Sequence, residues 1–347
     1  MLSQRSWRRL RPLLWPVALL YWGLSWWRNL FYRIGFFITR KVPVPVVSIG
    51  NLSMGGTGKT PATIYLVRLL QERDYRVGVL TRGYRRESSG TLLVRDGTDM
   101  LASVDESGDE PFLLAQSLPG APVVVDEDRY RGAIFMQSTH PVDIIVLDDA
   151  FQHRGLTRDC DLLLLDATAT KSAYRIFPAG SLRESLAGLR RADLVIWTRT
   201  ELVKPPPKIV ARVTAANVPQ IYSRMEIKPN LKALGGGGEV GAAELGTRHI
   251  VAFCGVARPR SFYHALMKVG LEPEEVRYFP DHHRYSAVDQ ENLADLAPDD
   301  SWALITTEKD AVKLGPDFPA LNRLYALQVA LALGEEEREQ LIRLLPV

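Results

Sequence analysis

The sequence predicts an α/β protein, a parallel sheet with helices on both faces followed by a smaller second α/β domain. Three features carry that expectation. Between residues 42 and 204, short runs rich in Val, Ile and Leu alternate with segments of helical periodicity, as in strands buried on both faces. The first run is joined to the first helical segment by a glycine-rich loop, residues 53–60. The same strand-and-helix pattern restarts at Ile250. At 347 residues the chain is long enough for two domains, each with its own core.

Residues 1–40 come first, as an amphipathic N-terminal segment. Residues 1–41 hold eight Arg or Lys and no acid, so the rest of this +3 chain is net acidic. Five of the seven tryptophans also lie here: Trp7, Trp15, Trp22, Trp26 and Trp27. A basic, Trp-rich apolar leader suits a membrane surface. It is a poor span, because only Pro12 to Trp27 lack charge and a span needs about 20 residues. It is too aromatic for a signal peptide. The alternative is a helix packed on the protein's own core. Its basic residues alternate with large apolar ones, which argues against nucleic acid as a partner. Cys160 and Cys254 lie far apart, with neither metal-ligand spacing nor a disulfide framework, and suit a reducing compartment.

Residues 41–205 form the first domain, with strands expected at 44–49, 77–81, 122–125, 143–147, 161–165 and 193–197. The loop Ser53-Met54-Gly55-Gly56-Thr57-Gly58-Lys59-Thr60 falls between the first strand and a helix carrying Ile64, Leu66, Val67, Leu69 and Leu70. That context is what a phosphate-binding loop needs, so the sheet is P-loop NTPase-like. Glycines let backbone N–H groups curl around an anion, and the helix aims its positive end there. Lys59 would reach the β- and γ-phosphates, and Thr60 would hold Mg²⁺. Ser53 stands where the general loop pattern has Gly.

The other motifs also fall after strands, where α/β sheets bind ligands. Asp148 and Asp149 follow 144–147 and read as the Mg²⁺-binding acids of a P-loop protein, with Gln152 and His153 at the same edge. Arg82, Arg85 and Arg86 sit on a loop hinged at Gly83 and suit an anionic substrate. Asp109 either accepts a hydroxyl proton or caps the helix beginning near Pro111. Glu184 joins the outer shell of the metal or pairs with Arg183. The strand ending at Trp197 is followed by Thr198-Arg199-Thr200-Glu201 rather than the Asn-Lys-x-Asp of guanine-specific proteins, which favours ATP.

Pro205-Pro206-Pro207 marks a boundary, and 206–248 reads as a linker containing a half-exposed strand at 221–227. Residues 249–347 read as the second domain, with a helix from Pro259 to Val269 and a strand near 302–306. Its densest titratable cluster is Asp281-His282-His283, and Glu308-Lys309-Asp310 follows a strand.

Together these motifs resemble the tetraacyldisaccharide 4'-kinases, the lipid A 4'-kinases of Gram-negative bacteria. The resemblance rests on Gly50-Asn51, Gly55 to Thr60, Thr81-Arg82-Gly83-Tyr84, Gly108-Asp109-Glu110-Pro111, Asp148 to His153, Gly180 with Leu182-Arg183-Glu184, Asp281-His282-His283 and Glu308-Lys309-Asp310. It covers nearly the whole chain, and Ser53 agrees with that family's loop; Ser185 stands where the family often has Pro. It implies an enzyme using ATP and Mg²⁺ to phosphorylate the 4'-hydroxyl of tetraacyldisaccharide 1-phosphate, giving lipid IVA. It further implies a monomer held peripherally at the cytoplasmic face of the bacterial inner membrane, with the active site between two α/β domains. On the same resemblance Asp109 is the base and His282 its partner, with Asp281 and His283 as alternatives. Lys59 is catalytic, residues 53–60 bind ATP, and Thr60, Asp148, Asp149 and Glu184 surround the metal. Asn51, Arg82, Tyr84, Gln152 and Arg183 contact substrate.

Three rival readings make distinct demands. A P-loop GTPase or metallochaperone requires guanine preference. A phosphoesterase built on Asp281-His282-His283 requires a metal centre with further Asp-rich motifs. A membrane scaffold would bind ATP without transferring phosphate.

Overall fold

The computed structural model describes residues 4–170 and 172–347, with backbone alone for residues 4–13. The side chains of Arg5, Trp7, Arg8, Arg9 and Arg11, part of the expected N-terminal segment, therefore lie outside the described residues. The chain opens with helix α1 (Gln4–Arg33), then β1 (Val46–Asn51) and α2 (Lys59–Gln71). Next come β2 (Val77–Thr81), β3 (Leu92–Asp96), α3 (Val104–Ser107), α4 (Asp109–Ser117) and β4 (Pro122–Val125). They lead into α5 (Arg129–Thr139), β5 (Ile144–Leu147), β6 (Cys160–Asp166), β7 (Leu194–Thr198), α6 (Pro207–Ala215) and β8 (Gln220–Ile227). The second unit holds β9 (Asn230–Ala233), β10 (Glu239–Gly241), α7 (Ala242–Leu245), β11 (His249–Cys254) and α8 (Pro259–Lys268). It continues through β12 (Glu275–Tyr278), α9 (Ala287–Asp295), β13 (Trp302–Thr307), α10 (Glu308–Ala311) and β14 (Leu324–Leu327). β15 (Val329–Leu333) and α11 (Glu335–Leu344) end the described chain.

The first sheet runs β15-β8-β7-β6-β1-β5-β2-β4-β3 and is parallel except at its two outermost pairs. Strands β1, β2, β4, β5, β6 and β7 are buried along their full lengths, which explains their predominantly apolar composition. Val47 and Ile49 meet Leu66, Val67 and Leu70 of α2 on one face, while Val46, Ile145 and Leu147 pack into the core on the other. Each such buried Leu or Val contributes about 1.5–3 kcal/mol by leaving water. That packing fixes the N-terminus of α2 beside the phosphate loop. The second sheet, β10-β9-β14-β13-β11-β12, has its own cores on either face.

The division of the chain differs from expectation in two places. β8, within the expected linker, pairs in parallel with β7 and extends the first sheet. Its alternation suits an outer strand, with Ile221, Ser223 and Met225 inward. The last residues return to that sheet too, since β15 pairs antiparallel with β8 and packs against α2. The second unit is therefore an insertion between β8 and β15. Its own sequence is a complete strand-and-helix pattern, so the return of the tail leaves no mark in composition.

Candidate active site

The phosphate loop is braced on three sides. Asn51 Nδ2 donates to Thr57 Oγ1 at 2.9 Å, and Thr198 Oγ1 donates to the Thr57 carbonyl at 2.9 Å. On the opposite edge, Met54 N donates to Ser181 O and Arg183 N to Leu52 O, at 2.6 and 2.7 Å. Gly58 has φ 91°, a conformation that favours glycine, and the Met225 methyl packs where a Cβ would stand, 2.1 Å from it. Gly50 lets Phe151 approach to where a Cβ would be 2.6 Å away, drawing the Asp148-Asp149 turn against β1. A cavity of about 740 Å³ opens beside the loop, lined by Ser53 to Thr57, Asp166, Thr168 to Thr170 and Arg258 to Ser261 among others.

Lys59 and Thr60 begin α2, and the Lys59 ammonium lies 3.7 Å from Asp149 Oδ1. Asp149 has φ 48°, a left-handed conformation that Asp tolerates better than most residues. Arg183 holds its carboxylate through contacts of 3.0 and 3.1 Å. Asp148 is buried, and its Oδ1 accepts from Thr63 Oγ1 at 2.8 Å. Burial, with the negative charges of Glu110 and Asp149, pushes the Asp148 carboxyl up to about 7. Two carboxylates and a hydroxyl beside a phosphate loop are hard oxygen donors of the kind a divalent cation takes, so Thr60, Asp148 and Asp149 are suitable for Mg²⁺. Magnesium sites of this kind use one or two carboxylates plus phosphate oxygens.

Across the cleft, His282 Nδ1 lies 2.9 Å from Asp109 Oδ2. Asp109 does not cap its helix: Gly108 is the N-cap residue, without a side-chain bond. Asp109 is the first residue of α4, where its carboxylate is free to turn toward the second domain. Burial pushes that carboxyl up, but the hydrogen bond from His282 and the charge of Lys309 outweigh it and hold it at about 2. His283 turns elsewhere, with Nε2 3.1 Å from Asp289. The two histidines thus address separate carboxylates, which disfavours a metal centre built on Asp281-His282-His283.

Three other expected site residues have different tasks. Glu184, expected near the metal, is buried and accepts from Arg191 at 2.8 and 2.9 Å, from Gln152 at 3.1 Å and from Asn29 at 3.1 Å. Burial pushes this carboxyl up, but Arg191 and Gln152 outweigh it, and it lies below the usual range. It pairs with Arg191, not with its neighbour Arg183. Gln152, expected to touch substrate, spends its Nε2 on Asn51 O and Glu184, and its Oε1 faces Arg183 at 3.4 Å. Asn51 is fully buried under the loop it braces. Arg82 and Tyr84 remain exposed beside the cleft, with the Tyr84 ring 6.0 Å from that of His282. Arg86 is instead structural, bound to Glu127 and Gly90 O. The guanine-reading position is occupied otherwise, since Arg199 pairs with Asp166 and Glu201 accepts from Met225 N.

The N-terminal segment packs on the domain and also keeps an exposed apolar surface. One face of α1 packs on this domain, with Ala18 buried, Tyr21 against Phe177, and Asn29 bonded to Glu184. Another face leaves Leu20, Trp22, Leu24, Trp26 and Trp27 exposed, and Phe36 and Ile38 beyond the helix extend the apolar surface. Among the described residues, no helix is long and apolar enough to cross a membrane.

Sequence reasoning missed Lys309 and Glu110 as partners, Nζ to Oε1 at 2.8 Å. Their signals were present, Glu110 beside Asp109 and Lys309 just after a strand. What sequence lacks is the distance between them.

What these groups define is a P-loop phosphotransferase that uses ATP. A family model described as tetraacyldisaccharide-1-P 4'-kinase matches residues 10–345, and the chain belongs to that family. A tetraacyldisaccharide 4'-kinase of Aquifex aeolicus is 37% identical over 329 residues, covering 95% of this chain and 96% of that one. One from Chlorobaculum parvum is 36% identical over 318 residues, covering 90% and 87%. The crystal structure of LpxK from Aquifex aeolicus in complex with ATP superposes with a TM-score of 0.81 at 36% identity, over 97% of this chain and 99% of that one.

Proposed function

We infer that Asp109, held by His282, is the base of the family's reaction in this chain. The chain transfers the γ-phosphoryl group of ATP to the 4'-hydroxyl of tetraacyldisaccharide 1-phosphate, giving lipid IVA in lipid A biosynthesis. As the hydroxyl oxygen bonds to phosphorus, the bond from phosphorus to the ADP oxygen breaks and the hydroxyl proton passes to Asp109. Lys59 and the loop amides stabilise charge on the transferring group. Mg²⁺, when held by Thr60, Asp148 and Asp149, neutralises charge on the phosphates. Arg82 and Tyr84 receive the acceptor at the cleft edge, and Arg183 holds Asp149 beside the phosphates.

The observation that carries this reading is the 2.9 Å contact between Asp109 and His282, side chains from the two units. The exposed apolar face of α1 supports a peripheral membrane site where the enzyme meets its lipid acceptor; a monomer at the cytoplasmic face of the inner membrane is what we infer from the family's reaction. The deciding experiment incubates the protein with γ-labelled ATP and tetraacyldisaccharide 1-phosphate. Label should enter the lipid with the native protein and nearly vanish with Asp109→Ala. Undiminished labelling by that variant would reject Asp109 as the base.

A further inference from the structure

We propose that Lys309 fixes the position of the proton on His282, keeping the ring neutral with hydrogen on Nδ1, so that Asp109 rather than His282 receives the hydroxyl proton. This rests on the reading of Asp109 and His282 as the catalytic pair.

Two contacts, one at each ring nitrogen, set this state together. Lys309 Nζ lies 3.3 Å from His282 Nε2 and 2.8 Å from Glu110 Oε1. Burial opposes the charge on Lys309, but Glu110, Asp109 and Asp281 outweigh it and keep the ammonium above the usual lysine range. An ammonium only donates, so Nε2 must present its lone pair. At the other nitrogen, the Asp109 carboxylate only accepts, so Nδ1 must carry the hydrogen. An imidazolium would set an N–H of Nε2 against an ammonium N–H. The groups against the ring are Asp109 from α4, Lys309 from α10 and Tyr84 from the loop after β2, with Glu110 bonded to Lys309 behind it; of its own loop, His283 turns to Asp289 and Arg284 to Glu87.

The same short segment also holds the His282 backbone. His282 has φ 60°, and its N–H donates to Gly255 O at 3.1 Å. Gly255 N donates to Asp310 Oδ2 at 2.9 Å, and Lys313 Nζ donates to His283 O at 3.3 Å. Lys309 is therefore a positioning residue. It closes a square of Asp109, His282, Lys309 and Glu110, with two corners from each unit. While the square is closed, neither ring nitrogen can take the hydroxyl proton. The proton goes to Asp109 as the new P–O bond forms and the bond to ADP breaks, and His282 donates to that carboxylate throughout.

The test is ¹⁵N spectroscopy of the full chain labelled at histidine, in detergent with an ATP analogue that cannot transfer phosphate. The His282 signal is identified by its loss in His282→Gln. The native protein should show a bare Nε2 and a protonated Nδ1 at neutral pH; an Nε2–H ring or an imidazolium there would overturn the proposal without recourse to any variant. In Lys309→Met the signal should leave that state, and in Lys309→Arg it should keep it. The kcat of Lys309→Met should fall about tenfold or more with the KM for ATP little changed, and Lys309→Arg should recover part of it. An unchanged His282 signal or unchanged kcat in Lys309→Met also overturns it. Full activity of Asp109→Ala would instead sink the catalytic pair and leave the tautomer result standing.

Discussion

The phosphate loop and the Asp109–His282 pair sit at one cleft but are built by opposite means. The loop lies within one sheet, and its braces include the neighbouring Asn51 and strand-end residues such as Thr198. The pair joins side chains 173 positions apart, and its companion contact, Lys309 to Glu110, spans 199. Local geometry preorganises the loop before any substrate arrives. The pair exists only where two separately cored units meet, so the base we infer depends on that meeting. Binding of nucleotide and activation of the acceptor can therefore be separated by mutation.

The sharpest way to break the comparison is on the side of the loop. Lys59→Ala should lower kcat by roughly a hundredfold or more, since charge on the transferring group loses its main fixed cation. Near-full activity in a steady-state assay would remove the nucleotide assignment.

On the side of the pair, Asp109→Ala and His282→Ala should each cost about two orders of magnitude in kcat while ATP still binds. Calorimetry with ATP separates the two halves. If the residues act as a unit, the double variant is little worse than the worse single one, whereas fully multiplicative losses would show separate roles.

The metal group gives a pH-dependent contrast. The Asp148 carboxyl is raised to about 7, and a cation needs its ionised form. Apparent Mg²⁺ affinity should thus weaken as pH falls through 7, as titration calorimetry at several pH values will show. The sign for the metal-free protein is opposite. Its unfolded chain ionises this Asp near pH ~3.9, so stability falls between there and 7 and stays low above; Mg²⁺ should offset that loss. A metal-free melting temperature that rises across this interval in Asp148-dependent fashion would contradict the buried, raised carboxyl.

Glu184 tests how far support beneath the loop matters. Glu184→Ala leaves Arg191 without its buried partner and should cost about 3 kcal/mol of stability. Thermal unfolding reads that directly, and kcat of the folded fraction should change less than in the variants above. The smallest effect on chemistry belongs to the outward face of α1. Replacing Trp22, Trp26 and Trp27 with Ser spares Ser25 and Asn29, which hold the helix to the domain. Vesicle flotation should weaken, while turnover of a detergent-dispersed short-chain acceptor stays near native.

The sequence made the central strands legible because burial on both faces leaves an unmistakable apolar run, and observed β2 and β4 coincide with expectation. The loop was legible because its glycines have few other uses. Tasks beneath the site were not. Gln152 and Glu184 carry groups that suit a substrate or a metal equally well, and only packing shows that Arg191 and Asn29 have claimed the Glu184 carboxylate. Lys309 stood in a recognised triplet, yet its role depends on where the other unit places Glu110 and where its own unit places His282. The outer strand β15 was invisible for the same reason, since pairing partners are chosen in three dimensions.

That last strand also governs the order in which the protein is completed on a translating ribosome. β8 emerges with one edge paired to β7, and its other edge waits for residues 329–333. Until then an open strand edge stands beside the nascent second unit, a surface available for wrong pairing. Met225, which packs on Gly58, belongs to the waiting strand. Loss of the codons for residues 329–347 would therefore damage the nucleotide loop encoded near the start.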